Sequence, residues 1–436
     1  MGYVTIDRPK YYKEGNPGIS AHINIGGESR EVWYRVSEGP LSNGEETFLL
    51  AALVPAMKVG EPLVLKGPIS PRLLHNIPKV QEIFHAWDHR LKEVPIEVQT
   101  IGSSPETAPS GVGCFFSGGV DSFYTLLKHR DEITKLIFVH GFDISLENTP
   151  LRAKVSQAIH SIAAELQKPL IEVETNIGTF ANNYVDWGLH SHGTAMASVA
   201  LLLSPQFRKV FIASSHSYSD LIPWGSHPII DPLLSTEHME IIHDGCEATR
   251  VEKVAEIALN ETAMKYLRVC YVNRGGAYNC GQCEKCLVTM VNLRVAGALE
   301  KCTTFTHALD LAAVSRMRVP DMDSRVAAEE NLRAVERSGK DPALAQALHD
   351  CLNRKNNVIT NEMSLLTAKK SELEEMVQSL KQQNSHLEKQ LSLIYQSRSW
   401  QIVQKYWCSL DSPFMGKILR PIRWILLRLI WRRDKR

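Results

Sequence analysis

The stretch Phe115-Phe116-Ser117-Gly118-Gly119-Val120-Asp121-Ser122 decides how this chain is read. An apolar run ends in two aromatic residues, two glycines follow, and the pattern from Phe123 to His129 is helical. Glycines at a strand-to-helix turn let the backbone bend sharply and approach a ligand closely. The helix N-terminus then offers unpaired N–H groups, which suit an anion. Ser117 and Ser122 add hydroxyl donors. Asp121 is out of place beside phosphate unless a cation such as Mg²⁺ bridges the two. The other common phosphate loop, G-x-x-x-x-G-K-[ST], occurs nowhere in the chain.

On either side of this turn the chain alternates. Short apolar runs at 112–116, 136–140, 170–174 and 210–214 are interleaved with helical patterns at 122–130, 151–167, 192–203 and 250–266. This order predicts an α/β domain over 111–300, a doubly wound parallel sheet with right-handed crossovers. Ligands of such sheets sit at the carboxyl ends of strands, where residues 117–122 lie. The stretches 214–220, 224–227 and 231–236 are dense in polar side chains and are candidates for a substrate pocket. His190 and His192 precede a helix, as caps or as pocket residues.

Cys270, Cys280, Cys283 and Cys286 form C-x9-C-x2-C-x2-C. Three thiolates at this spacing, with a fourth reaching in, can close a tetrahedral Zn²⁺ shell, and four protein ligands make the metal structural. Gly281 permits the tight turn between ligands. Lys285 and Arg274 offset part of the negative charge. Cys114, Cys246, Cys302, Cys351 and Cys408 stand alone and read as packing residues.

The loop and the cysteine cluster, in this order and about 150 residues apart, resemble the N-type ATP pyrophosphatases, the PP-loop superfamily. The resemblance is to the 7-cyano-7-deazaguanine synthase-like branch and covers roughly residues 111–290. It implies an adenine nucleotide alpha hydrolase-like fold that cleaves ATP between the α and β phosphates. Ser117, Gly118, Gly119, Val120, Asp121 and Ser122 would hold the pyrophosphate, with Asp121, Ser117 and Ser122 in catalytic roles. His140, Gly141, Phe142 and Asp143 would meet the adenine and ribose, and Lys253 a phosphate. The implied activity is an AMP-forming carbon–nitrogen ligase using ATP, Mg²⁺ and Zn²⁺. It would adenylate a carboxylate or similar oxygen of an acceptor and pass it to a nitrogen nucleophile. One alternative is a sulfur or amide transferase acting on RNA or a sugar nucleotide, which would need a redox-active thiol pair. Another is a non-catalytic coiled-coil scaffold at a membrane. The family's synthases are shorter, and their deazaguanine-reading loop has no clear match among the polar stretches.

The flanks and the composition complete the expectation. Of 436 residues, 44% are hydrophobic and 22% charged, which supports a packed core. A net charge of +1 supplies no field for nucleic acid. The start carries no apolar run and no stretch of 18 apolar residues exists, so neither a signal peptide nor a spanning helix is expected. The clustered cysteines suit a reducing, cytoplasmic compartment. Residues 1–100 read as a separate mixed, β-rich domain of unknown role. Alternation at Ile19, Ala21, Ile23, Ile25 and at Val32, Tyr34, Val36 predicts two strands joined at Gly26-Gly27. Ser70-Pro71 opens a helix that Pro78 is expected to interrupt.

Residues 304–354 read as helical. Ile359, Leu366, Leu373, Leu380, Leu387 and Ile394 recur every seven residues, which predicts a coiled coil over 357–396 and a homodimer. The tail, 412–436, mixes Trp424 and Trp431 with eight Lys/Arg, the composition of a basic amphipathic helix, either at the inner face of an anionic membrane or docked on a protein partner or the body.

Overall fold

The computed structural model describes residues 2–12, 15–102, 109–319 and 322–354. The expected coiled coil and basic tail lie outside the described residues.

The protein is mixed α/β, built on one large, mostly parallel sheet. Its strands are β1 (Val4–Ile6), β2 (Lys10–Tyr12), β3 (Gly18–Ile25), β4 (Glu28–Val36), β5 (Leu63–Ile69), β6 (Ile96–Ile101), β7 (Gly111–Phe115), β8 (Lys135–His140), β9 (Leu170–Thr175), β10 (Phe207–Ala213) and β11 (Glu240–Asp244). They run in the order β11-β10-β7-β8-β9-β4-β3-β1-β5-β6, with β2 beside β3. From β11 to β9 every pairing is parallel. β4 then joins β9 antiparallel, with Val36 opposite Val173 and Tyr34 opposite Thr175. The first hundred residues therefore extend the same sheet and do not form a sheet of their own. Gly26 and Gly27 make the β3–β4 turn with φ of 59° and 81°, a pair of values glycine adopts without steric cost.

Side chains of a strand alternate between faces, and β7 separates two cores. Val112, Cys114 and Phe116 pack with Phe123, Val155 and Ile159 on one side. Phe115 joins Ile137, Val139, Ile171 and Val173 on the other. Coverage of both faces explains the near-continuous apolar runs of the central strands.

Helix Glu45–Val59 shows no period in its sequence because it is buried all round: every residue from 47 to 57 is buried. It packs between the β3–β5 region and helix His192–Leu202. Helix Pro71–Trp87 is capped by Ser70, whose Oγ accepts the Leu73 N–H at 3.0 Å. Contrary to the sequence expectation, this helix runs on through Pro78. Packing of Leu73, Ile77, Val80 and Phe84 on the core outweighs the lost hydrogen bond. Residues 304–354 are largely helical and pack on helix Glu284–Val295 through Val314, Val335, Leu344 and Leu348. Among the described residues no helix is long and apolar enough to cross a membrane.

Candidate active site

The turn after β7 has the geometry its glycines allow. Gly118 adopts φ of 73°, and its carbonyl accepts the Arg268 N–H at 2.8 Å. Gly119 precedes helix Val120–Lys128, whose first turn has no capping side chain. Ser122 Oγ donates to the Gly119 carbonyl at 3.1 Å and lies 3.4 Å from Ser117 Oγ. The N–H groups of the first turn are thus left to a ligand.

Asp121 faces helix Arg250–Ile257, which Thr249 and Glu252 start with a capping box. Arg250 and Lys253 lie three apart and share one helix face. Arg250 Nη1 reaches Asp121 Oδ2 at 2.9 Å, and Lys253 Nζ lies 3.3 Å from Oδ1. Lys253 is fully buried and also donates to the Ser214 carbonyl at 2.6 Å. Burial would raise the pKa of Asp121, but Lys253, Arg250 and Lys285 outweigh it and hold the carboxyl below its usual range. The sequence assigned Asp121 to a cation alone. The structure adds two protein cations on its oxygens.

A cavity of about 530 Å³ opens above the loop. Ser117, Gly119, Asp121 and Ser122 form one end, and His140, Phe142 and Asp143 lie on another wall. Gly141 shapes that wall. Its φ is 96°, and a Cβ there would lie 2.0 Å from the Thr175 carbonyl oxygen. His140 is bound from behind, with Nε2 3.4 Å from Glu172 Oε1. Phe142 meets Trp187 edge-on at 5.0 Å.

Of the polar stretches, Ser215 and Trp224 line the cavity, as does His192. His216 and Ser217 line an adjoining cleft. His190 turns away and lies 3.3 Å from Asp88. Sequence reasoning missed Trp187, Met196, Arg268, Tyr271 and Glu284 on the cavity wall, and treated Lys285 only as a neighbour of the cysteines. None of these belongs to a local pattern that could have singled it out. Helix Met322–Ser338 closes the cleft beside Asp121, where the Glu330 carboxyl accepts the Arg250 backbone N–H. Burial, then the Asp220 charge, push Glu330 up to about 7.

A second polar network joins Ser226, Asp231 and His243. Asp231 is fully buried, accepts Ser226 Oγ at 2.6 Å, and lies 2.7 Å from His243 Nδ1. Burial would lower the pKa of His243, but the Asp231 carboxylate and Cys246 push it up to about 9. A raised histidine stabilises the fold fully below its unfolded pKa and loses that contribution as pH climbs through the folded value. Melting temperature is therefore expected to fall between pH 6.5 and about 9. Asp231→Asn should flatten this slope. A slope equal to that of the wild type would show that the pair does not carry it.

The four clustered cysteines converge. Their sulfurs all lie within 4.8 Å of one another, with Cys270 to Cys283 at 3.8 Å and Cys280 to Cys286 at 4.0 Å. Metal–sulfur bonds of about 2.3 Å place the corners of a tetrahedron about 3.8 Å apart, so the cluster fits a metal ion and is compatible with zinc. Backbone N–H groups of Asn273 and Cys283 donate to the Cys270 and Cys280 sulfurs, both at 3.3 Å. Gly281 turns the loop with φ of 67°. Helix Glu284–Val295 starts at Cys283, so the cluster sets where Glu284 and Lys285 enter the cavity.

No protein-family model, curated protein or solved structure matches this chain.

Proposed function

We propose that the protein is an ATP-dependent, AMP-forming ligase of the N-type ATP pyrophosphatase kind, with a doubly wound nucleotide-binding half. The observation that carries this reading is the Ser117–Gly118–Gly119 turn at a cavity lined by Arg268 and Lys285, with Arg250 and Lys253 held against Asp121 beside it. The loop N–H groups and the Ser117 and Ser122 hydroxyls receive the β- and γ-phosphates, and the 140–143 wall receives the nucleoside. An acceptor carboxylate oxygen forms a bond to the α-phosphorus. The bond to the bridging oxygen breaks, and pyrophosphate leaves with the electron pair. A nitrogen nucleophile then attacks the activated carbonyl and expels AMP. Rate comes from positioning and charge stabilisation.

Mg²⁺ would neutralise phosphate charge beside Asp121, whose ionised carboxylate is a suitable hard ligand. Zn²⁺ would fill the cysteine cluster as a structural ion. The thiol chemistry of a sulfur transferase finds less support, because Cys114, Cys246, Cys302 and Cys351 are each buried and bonded to an oxygen atom. Dimerisation through 357–396 and lipid contact through 412–436 belong to the same proposal and rest on sequence alone.

Calorimetric titration with an ATP analogue uncleavable between the α and β phosphates, in the presence of Mg²⁺, tests the reading. Saturable binding at one site per chain is the expected result. Absence of heat at millimolar analogue would overturn it.

A further inference from the structure

Arg268 is 5% exposed, yet its guanidinium has no carboxylate partner among the described residues. Its Nη2 donates to Asn273 Oδ1 at 2.8 Å, while its buried Nε has no partner among the described residues. A buried charge without a counter-charge is costly, and this one lines the cavity beside Ser117 and Gly119. The arrangement is that of a receptor for an oxyanion. The position narrows which one. The Arg268 backbone N–H is bonded to Gly118 of the loop, and its guanidinium is bonded to Asn273, whose amide reaches the Asp143 carbonyl at 3.4 Å. Arg268 therefore spans from the loop that takes the leaving pyrophosphate to the wall that takes the nucleoside. On the ligase reading, the α-phosphoryl group would fall between those two points.

We propose that Arg268 binds the α-phosphoryl oxygens of the nucleotide and stabilises the charge that grows there as the acceptor oxygen attacks. This inference rests on the ligase reading. The planar guanidinium can offer parallel N–H donors to two equatorial oxygens, which an ammonium cannot. As the bond to the acceptor oxygen forms and the bond to pyrophosphate breaks, those equatorial oxygens carry the charge, and a fixed cation facing them needs no reorganisation.

Calorimetry with adenosine, AMP and ATP on the full-length wild type, Arg268→Lys and Arg268→Gln separates the outcomes. The wild type is expected to prefer AMP to adenosine. Arg268→Gln should bind adenosine unchanged and AMP about tenfold more weakly, the size of a lost charge-assisted hydrogen bond. Arg268→Lys should fall between them. Melting without nucleotide supplies a second readout. A purely structural arginine loses stability on replacement by glutamine, whereas removal of an unpaired buried charge should leave the melting temperature equal or higher. Two results overturn the inference: an unchanged preference for AMP in Arg268→Gln, or a destabilised Arg268→Gln that binds AMP normally. If the wild type binds neither adenosine nor any nucleotide, the ligase reading falls with it. If the wild type prefers AMP and Arg268→Gln retains that preference, only the role of Arg268 falls.

Discussion

Asp121→Ala is expected to lower AMP formation by about a thousandfold, the scale of losing a principal charge-stabilising group, and to lower stability as well. The sequence alone suggests that this change spares the fold. The structure argues otherwise, because Lys253 is 1% exposed and Asp121 is the carboxylate beside its ammonium. Removing one member of a buried pair leaves the other charge uncompensated. Since Asp121 is about one-fifth exposed, a cost of about 2 kcal/mol is appropriate. The pair Asp121→Ala with Lys253→Met should recover stability without recovering activity. Thermal melts and AMP release, measured on the wild type and both variants with the acceptor present, decide the matter. An alanine variant that melts like the wild type would show that the Lys253 charge is satisfied without Asp121. One that also releases AMP normally would remove Asp121 from the chemistry.

Cys283→Ser is the second large effect. With one sulfur gone the cluster should lose its metal, and stability should drop by about 4 kcal/mol or more, the range seen when a structural metal is lost. Nucleotide affinity should fall too, because helix Glu284–Val295 begins at Cys283 and carries Lys285 to the cavity. Metal analysis of protein purified without chelators, with melts before and after chelation, provides the check. A metal-free wild type, or a serine variant with unchanged melting temperature, would sink the assignment.

What was legible in the sequence was what is local. The loop at 117–122 and the cysteine spacing can be read because their partners are a few residues apart. β3 and β4 can be read because one face of each is buried, which writes a period of two into the chain. Helix Glu45–Val59 carries no such mark, since it is buried on every side. β11 is short and ends in His243 and Asp244, whose polarity hides a strand. Trp187, and Arg268 with Tyr271, reach the cavity from two segments far from the loop in sequence and acquire meaning only there. Residues 1–100 read as a domain apart because the pairing of β4 with β9 leaves no trace in either strand.

That pairing has a consequence in time. β4 leaves the ribosome well over a hundred residues before β9, a delay of about ten seconds at ordinary elongation rates. Helix Glu45–Val59 waits equally long for helix His192–Leu202, its partner on the far side. The nascent chain must therefore carry a strand with one open edge and a helix that is apolar from Phe48 to Met57 through roughly a third of its synthesis. Such a chain is a natural client for chaperones, and slowing translation would lengthen the interval in which it can aggregate.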